Sequence, residues 1–330
     1  MFKSILAATD TPALADPSGL TAMQIARRNN AGLHIMHVLE PLQTDGNPLV
    51  RHFQTGQSVQ VDAAYKAAVR EGIMSFYNGL LADISDFHIA VTVGVPWYEI
   101  QKQVEKSKAE LIVMGSCAQG VRAGDFATED AGIGGTLAGV WSRAKSPVLI
   151  ANNELTAEKM RIGSVLVSID FSKSCEAALV FATRLAQTYR ARLVLFHMVP
   201  VPPFPKYSQA DYQADLHAAE KRLQKFSRTY IEGVDHDYCV GAGVMAHEEI
   251  LACAQKNDAD ILVMGSHTKD KEGKWYAGSV VKRVLHSSKY PLIVLSDPDV
   301  LKPWEADATI AAIQDSDADR TVHAFSRKKE

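Results

Sequence analysis

Residues 259–266 read Ala259-Asp260-Ile261-Leu262-Val263-Met264-Gly265-Ser266. A short apolar run closed by Gly and Ser suits a strand buried on both faces of a parallel sheet. The same pattern stands earlier as Ala109-Glu110-Leu111-Ile112-Val113-Met114-Gly115-Ser116. Three more matches keep the same order. Ile5-Leu6-Ala7-Ala8-Thr9-Asp10 meets Val165-Leu166-Val167-Ser168-Ile169-Asp170, and Leu33-His34-Ile35-Met36-His37-Val38 meets Leu193-Val194-Leu195-Phe196-His197-Met198. Lys145-Ser146-Pro147-Val148-Leu149-Ile150 meets Lys289-Tyr290-Pro291-Leu292-Ile293-Val294. The separations are 160 for Asp10 to Asp170 and for His37 to His197, 150 for Gly115 to Gly265, and 144 for Pro147 to Pro291. Such stepwise drift arises when loops change length and elements do not. The chain therefore contains one unit written twice.

Each half alternates strand and helix. In the second half, strands are expected at 164–169, 192–198, 236–240, 261–265 and 291–296. The helices between them are a first one capped by Ser174 and running through Tyr189, then 211–232, 246–257 and 279–288. The first-half strands fall near 3–9, 33–38, 87–93, 110–114 and 147–151. Five strands with four intervening helices predict a doubly wound, five-stranded parallel α/β sheet of Rossmann-like type in each half. The expected organisation is a domain over 1–151, a polar linker over 152–161, a second domain over 162–296 and a tail over 297–330. Within the tail, Trp304 to Gln314 could form one short helix. The loops 41–57 and 199–209, the latter holding Pro200, Pro202, Pro203 and Pro205, read as solvated connections.

The composition agrees with this. A chain of 330 residues has room for two domains. With 47% hydrophobic residues, 22% charged and a net charge of -3, it is neither disordered nor built for nucleic acid. No apolar run reaches the roughly 20 residues of a membrane span. The apolar start, Met1 to Ala8, stops at Thr9-Asp10, too short for a secretory leader. Cys117, Cys175, Cys239 and Cys253 lie far apart without a C-x-x-C pair, which points away from a disulfide framework or zinc site and towards a reducing cytoplasm.

In an open α/β sheet, ligands bind beyond the carboxyl ends of the strands, where strand order reverses. The relevant loops follow strands one and four of each half. The second-half loop runs from Gly265-Ser266-His267-Thr268 to Ala277-Gly278-Ser279-Val280. A helix beginning near Gly278-Ser279 offers unbonded amides and a positive dipole end to an anion, and glycine lets the backbone come close. A glycine-punctuated turn with a serine cap is the plain alternative on local sequence alone.

The duplicated order and this loop resemble the universal stress protein family in its tandem, two-domain form. That family carries G-x2-G-x9-G-[S/T] after strand four; here Gly265, Thr268, Gly278 and Ser279 hold the spacing, with Thr268 in place of the second glycine. The resemblance implies a stress-response protein that binds ATP, ADP or AMP, with Mg as an accompanying ion, mainly in the second half. It implies that Asp170 faces the adenosine part and Met198 the adenine. Met264, Gly265, Ser266, Thr268, Gly278, Ser279 and Val280 would then surround the phosphates and ribose. The first-half counterparts are Thr9, Asp10, Val38, Gly115, Gly134 and Thr136. There the gap from Gly115 to Gly134 is 19 residues against 13 for Gly265 to Gly278, and the inserted stretch carries Asp125, Glu129 and Asp130. Acidic groups repel phosphate, so this half reads as a degenerate site. The resemblance further implies an intramolecular pseudo-dimer paired through the final strands, with a homodimer as a further assembly.

Other signals read as structure. Gly241-Ala242-Gly243-Val244-Met245-Ala246 matches G-x-G-x-x-A but follows strand three, not strand one, of its half. Gly273-Lys274-Trp275 lacks the rest of a P-loop. His34 and His37 point to opposite faces of a strand and do not share a metal. His37 and His197 read as structural residues near the site mouth. Cys117 is the cysteine to test for reactivity. No Ser-His-Asp order or carboxylate pair is placed for catalysis, so any ATP hydrolysis is expected to be slow. The alternatives are a nucleotide-free protein-interaction module of the same fold and an adenylate-handling enzyme, which would need Lys or Arg groups near the loops.

Overall fold

The computed structural model describes residues 1–9, 17–42, 48–52, 55–116, 134–151, 162–201, 208–266, 268–269, 275–276 and 279–296. The first half runs β1 (Ser4–Thr9), α1 (Pro17–Asn29), β2 (Gly32–Leu39), β3 (Leu49–Arg51), β4 (Ser58–Gln60), α2 (Ala63–Tyr77) and β5 (Phe87–Val93). It continues with α3 (Pro96–Ser107), β6 (Leu111–Gly115), α4 (Gly135–Trp141) and β7 (Val148–Ala151). The second half runs β8 (Ser164–Ser168), α5 (Lys173–Tyr189), β9 (Arg192–Pro200), α6 (Gln209–Ser227), β10 (His236–Gly243) and α7 (Ala246–Lys256). It ends with β11 (Ile261–Gly265), β12 (Thr268–Lys269), β13 (Trp275–Tyr276), α8 (Ser279–Ser287) and β14 (Leu292–Leu295).

Ten strands form one sheet in the order β5-β2-β1-β6-β7-β14-β11-β8-β9-β10. Each half thus uses the strand order 3-2-1-4-5 of its own five, with parallel neighbours. The halves join through their final strands: β7 and β14 pair antiparallel, with Ile293 opposite Leu149. Period-two alternation divides the core. Ile5, Ala7, Val165, Val167, Ile261 and Val263 face a layer that includes α1, α2, α5 and α6. Leu6, Leu166, Leu262 and Met264 face α3, α4, α7 and α8. The two halves even end helices alike, since Asn30 and Arg190, 160 apart, have φ of 50° and 54°.

The expected strands are present to within three residues at each end. Several details differ. The cap of α5 is Ser172, not Ser174: its hydroxyl accepts from the Cys175 amide at 3.3 Å. Ser174 is buried, its hydroxyl 3.1 Å from that of Ser172. Helix α6 begins two residues early, because Ser208 and Asp211 form a capping box. It stops at Ser227 rather than 232, and Gly233 turns the chain with φ 74°. The loop 41–57 holds β3, which pairs with β4 as a hairpin not foreseen from sequence. The linker 152–161, the tail 297–330 with its Trp304–Gln314 segment, and residues 202–207 lie outside the described residues.

Candidate functional site

Strand order reverses between β8 and β11, and in open α/β sheets ligands sit beyond the carboxyl ends of the strands at such a point. Ser168 sits opposite Phe196 of β9 and Met264 of β11. Two residues beyond each lie Asp170, Met198 and Ser266, so three predicted positions share one level of the rim. The alternation carries Met198 and Ser266 onto one face, because Phe196 and Met264 pack in the α7–α8 layer, whereas Asp170 lies beyond the end of β8 and turns towards the start of α5. Met198 and Val280 pack against that layer from its margin. Asp170 is exposed, and Ser266 is buried with its amide bonded to Leu295 O at 2.8 Å.

Helix α8 packs in the same layer through Val281 and Val284. It begins at Ser279, an exposed residue, and its first turn carries no acidic side chain. Between β11 and α8 the chain forms a second unforeseen hairpin, with Thr268 of β12 opposite Tyr276 of β13. Thr268 thus lies on a strand; His267 and Gly278 lie outside the described residues, as do Asp10 and Cys117.

Gly265 faces the other way. A Cβ there would stand 2.5 Å from Ser174 C and O and 2.7 Å from Cys175 N. These are backbone atoms of the first turn of α5, so only glycine lets β11 come this near the helix. Its packing role is thus explained without a ligand.

The turn from β8 into α5 positions Asp170. The Ser172 amide donates to Asp170 Oδ1 at 2.9 Å, and the Asp170 amide to Cys175 Sγ at 3.4 Å. Phe171 between them has φ 65°, a left-handed backbone rare for a bulky residue. Its ring holds it there: it lies 4.5 Å from His197 and 5.3 Å from Phe226, and Arg222 stands 3.9 Å over its face. Sequence reading missed Phe171, although an aromatic between Asp170 and a capping Ser172 is a visible signal. His197 Nδ1 lies 2.7 Å from Ile169 O, and His37 Nδ1 3.0 Å from Thr9 O. A carbonyl only accepts, so each ring donates there and ties strand two to the end of strand one. Cys175 is buried, and burial pushes its thiol up to about 12.

In the first half, Val38 lies at the same margin as Met198. Thr9 is buried, its hydroxyl donating to Met36 O at 3.4 Å. The alternation turns it with His37 to the opposite face from Val38. Gly115 ends β6, Gly134 caps α4 without a side-chain bond, and Thr136 lies in the first turn of α4. Among the described residues, no three His, Cys, Asp or Glu side chains are grouped to hold a metal ion.

The decoy glycines also find a place. Gly241 and Gly243 belong to β10 itself, where Gly243 packs on Glu249 of α7.

The model of the universal stress protein family matches residues 1–152 and again 162–296. The chain belongs to the universal stress protein family. It carries two tandem family units on a mostly parallel sheet with alternating helices. A universal stress protein of Mycobacterium tuberculosis strain ATCC 25618 / H37Rv is 28% identical over 195 residues, 57% of this chain and 62% of that one. Another from the same strain is 24% identical over 138 residues, covering 40% and 47% respectively. This universal stress protein thus spans 47% and 62% of the lengths of those relatives. Among solved structures, a universal stress protein from Archaeoglobus fulgidus DSM 4304 aligns with TM-score 0.60 at 20% identity, over 89% of this chain and 96% of that one. A functionally unknown protein from Pseudomonas aeruginosa PAO1 aligns with TM-score 0.61 at 18% identity, over 93% and 97%. These likenesses concern the fold. No helix among the described residues is long and apolar enough to cross a membrane.

Proposed function

We propose that this universal stress protein binds an adenine nucleotide, ATP being the form to test first, in the second half at the rim formed by β8, β9, β11 and α8. The observation that carries the reading is the shared level of Asp170, Met198 and Ser266 at the strand-order reversal, where β8, β9 and β11 end together. The residues fit the group. The Asp170 carboxylate can accept from ribose hydroxyls. Half-buried Met198 offers an apolar, polarisable surface to a base. The start of α8, with no acid in its first turn, suits phosphates. Mg would arrive bound by the phosphates. The role is binding and signalling in a stress response within the cytoplasm, with hydrolysis slow at most.

Calorimetric titration with ATP tests this. Asp170→Asn keeps an acceptor for the Ser172 amide but removes the charge, so the turn survives while the ribose bond weakens. The expected result is a loss of about tenfold in affinity, about 1.4 kcal/mol. Unchanged affinity would move the site elsewhere. A nucleotide-free interaction module is the second reading, favoured by the engagement of the Asp170 carboxylate with the Ser172 amide; absence of binding by the wild type at millimolar ATP would select it.

A further inference from the structure

Strand β10 lies at one edge of the sheet and pairs with β9. Its residues Cys239, Gly241 and Gly243 alternate onto the face covered by α7. A Cβ on Gly243 would stand 2.4 Å from Glu249 Oε1 and 2.7 Å from its Cγ; one on Gly241 would stand 3.6 Å from Glu249 Oε2. The missing side chains let α7 lie close on the strand. One helical turn past Glu249, this closeness brings two sulfurs together: Cys253 Sγ donates to Cys239 Sγ at 2.8 Å. Both are free thiols. Asn257 Nδ2 donates to Cys253 Sγ at 3.4 Å and to Cys253 O at 2.9 Å. Cys253 is buried in the α7–α8 layer, and Cys239 is half-buried at the sheet edge.

The fold does not require these thiols. In the first half Gly94 packs on Glu99 as Gly243 packs on Glu249. Counting equal steps from that contact puts Ala90 where the second half has Cys239, and Gln103 where it has Cys253. The same strand and helix pack there without sulfur.

We propose that Cys239 and Cys253 form a reversible dithiol–disulfide pair that responds to hydroperoxides, Cys239 attacking and Cys253 resolving. The geometry sets the roles, since Cys239, at the sheet edge, is the less buried of the two. A disulfide needs its sulfurs about 2.05 Å apart, so closure takes less than about 1 Å of movement. Attack by the Cys239 thiolate on a peroxide oxygen breaks the O–O bond and leaves a sulfenic acid; the departing hydroxide takes up the thiol proton as water. Cys253 Sγ then attacks the Cys239 sulfur, breaking its S–O bond, and the second water carries away the Cys253 proton. Two thiols and one hydrogen peroxide become one disulfide and two waters. A dithiol reductant reverses the change. The hydrogen bond from Cys253 lowers the Cys239 thiol to about 7, with Lys256 and Asn257 acting in the same direction against burial. Bonding to Cys239 and burial hold the Cys253 thiol up.

The test uses the reduced full-length protein, treated with hydrogen peroxide, blocked with N-ethylmaleimide and digested without reductant for mass spectrometry. The expected product is a Cys239 peptide joined to a Cys253 peptide, lighter by two hydrogens and separated by dithiothreitol. The Cys239 thiol should disappear at least about tenfold faster than that of buried Cys175. In Cys253→Ser, dimedone should trap a sulfenic acid on Cys239 and no cross-link should form. The proposal is overturned if both cysteines emerge alkylated, or if Cys239 is found joined to Cys117 or Cys175.

Discussion

Gly265, at the end of a strand, and Gly79, in a turn, differ sharply in what surrounds them. A Cβ on Gly265 meets backbone atoms of α5 within 2.7 Å, whereas one on Gly79 meets nothing within 4 Å. Backbone cannot rotate away, so Gly265→Ala should destabilise by about 1–3 kcal/mol, and Gly79→Ala should stay within about 0.5 kcal/mol. Denaturant melts of the two variants check this. Equal stability would remove the packing role given to Gly265. Gly265 was legible as a special residue because a strand ends there before a helix-bound loop. Its packing contact was not legible, since Ser174 lies 91 positions away. Phe171 was hidden for a related reason: its left-handed backbone is held by rings on β9 and α6. The Cys239–Cys253 contact was equally invisible, because a spacing of 14 joins a strand to a helix and matches no ligand motif.

At the scale of elements, α6 shows what local chemistry decides. Its start is fixed by Ser208 and Asp211, whose carboxylate accepts the Ser208 amide at 3.0 Å and hydroxyl at 2.7 Å. Those bonds hold the Asp211 carboxyl below its ordinary 3.8. A lowered carboxyl stabilises the fold above its unfolded value, and the benefit fades as pH falls through the folded one. Asp211→Ala should therefore lower the melting temperature near neutral pH, with the gap narrowing below about pH 4. A gap that does not change with pH would place the effect elsewhere. The start of α6 was misread by two residues because the apolar pattern begins after its cap. Its end was misread because Ile231, beyond Ser227, is also buried and extends the pattern. Strands were legible to within a few residues, since buried parallel strands are continuous apolar runs. The hairpins β3–β4 and β12–β13 were not, because strands of three and two residues carry no measurable period.

Across the molecule, one antiparallel seam converts two five-stranded units into a ten-stranded sheet. The seam is apolar, with Leu149 and Ile293 facing each other at 0% and 2% exposure. Asn29 Nδ2 of α1 donates to Tyr189 Oη of α5 across it at 3.0 Å. Leu149→Ala and Ile293→Ala should each cost about 2–4 kcal/mol in a chemical melt. Together they should depart from additivity by at least about 0.5 kcal/mol, as contacting residues do; strict additivity would argue against the seam. The halves share strand order and histidine ties but differ in the helix before the final strand, where α4 has seven residues and α8 nine. Native mass spectrometry of the intact chain with ATP tests this asymmetry most directly. One nucleotide bound per chain, weakened about tenfold in Asp170→Asn, is the predicted result; two nucleotides per chain, no bound nucleotide, or binding that survives Asp170→Asn unchanged, would contradict it.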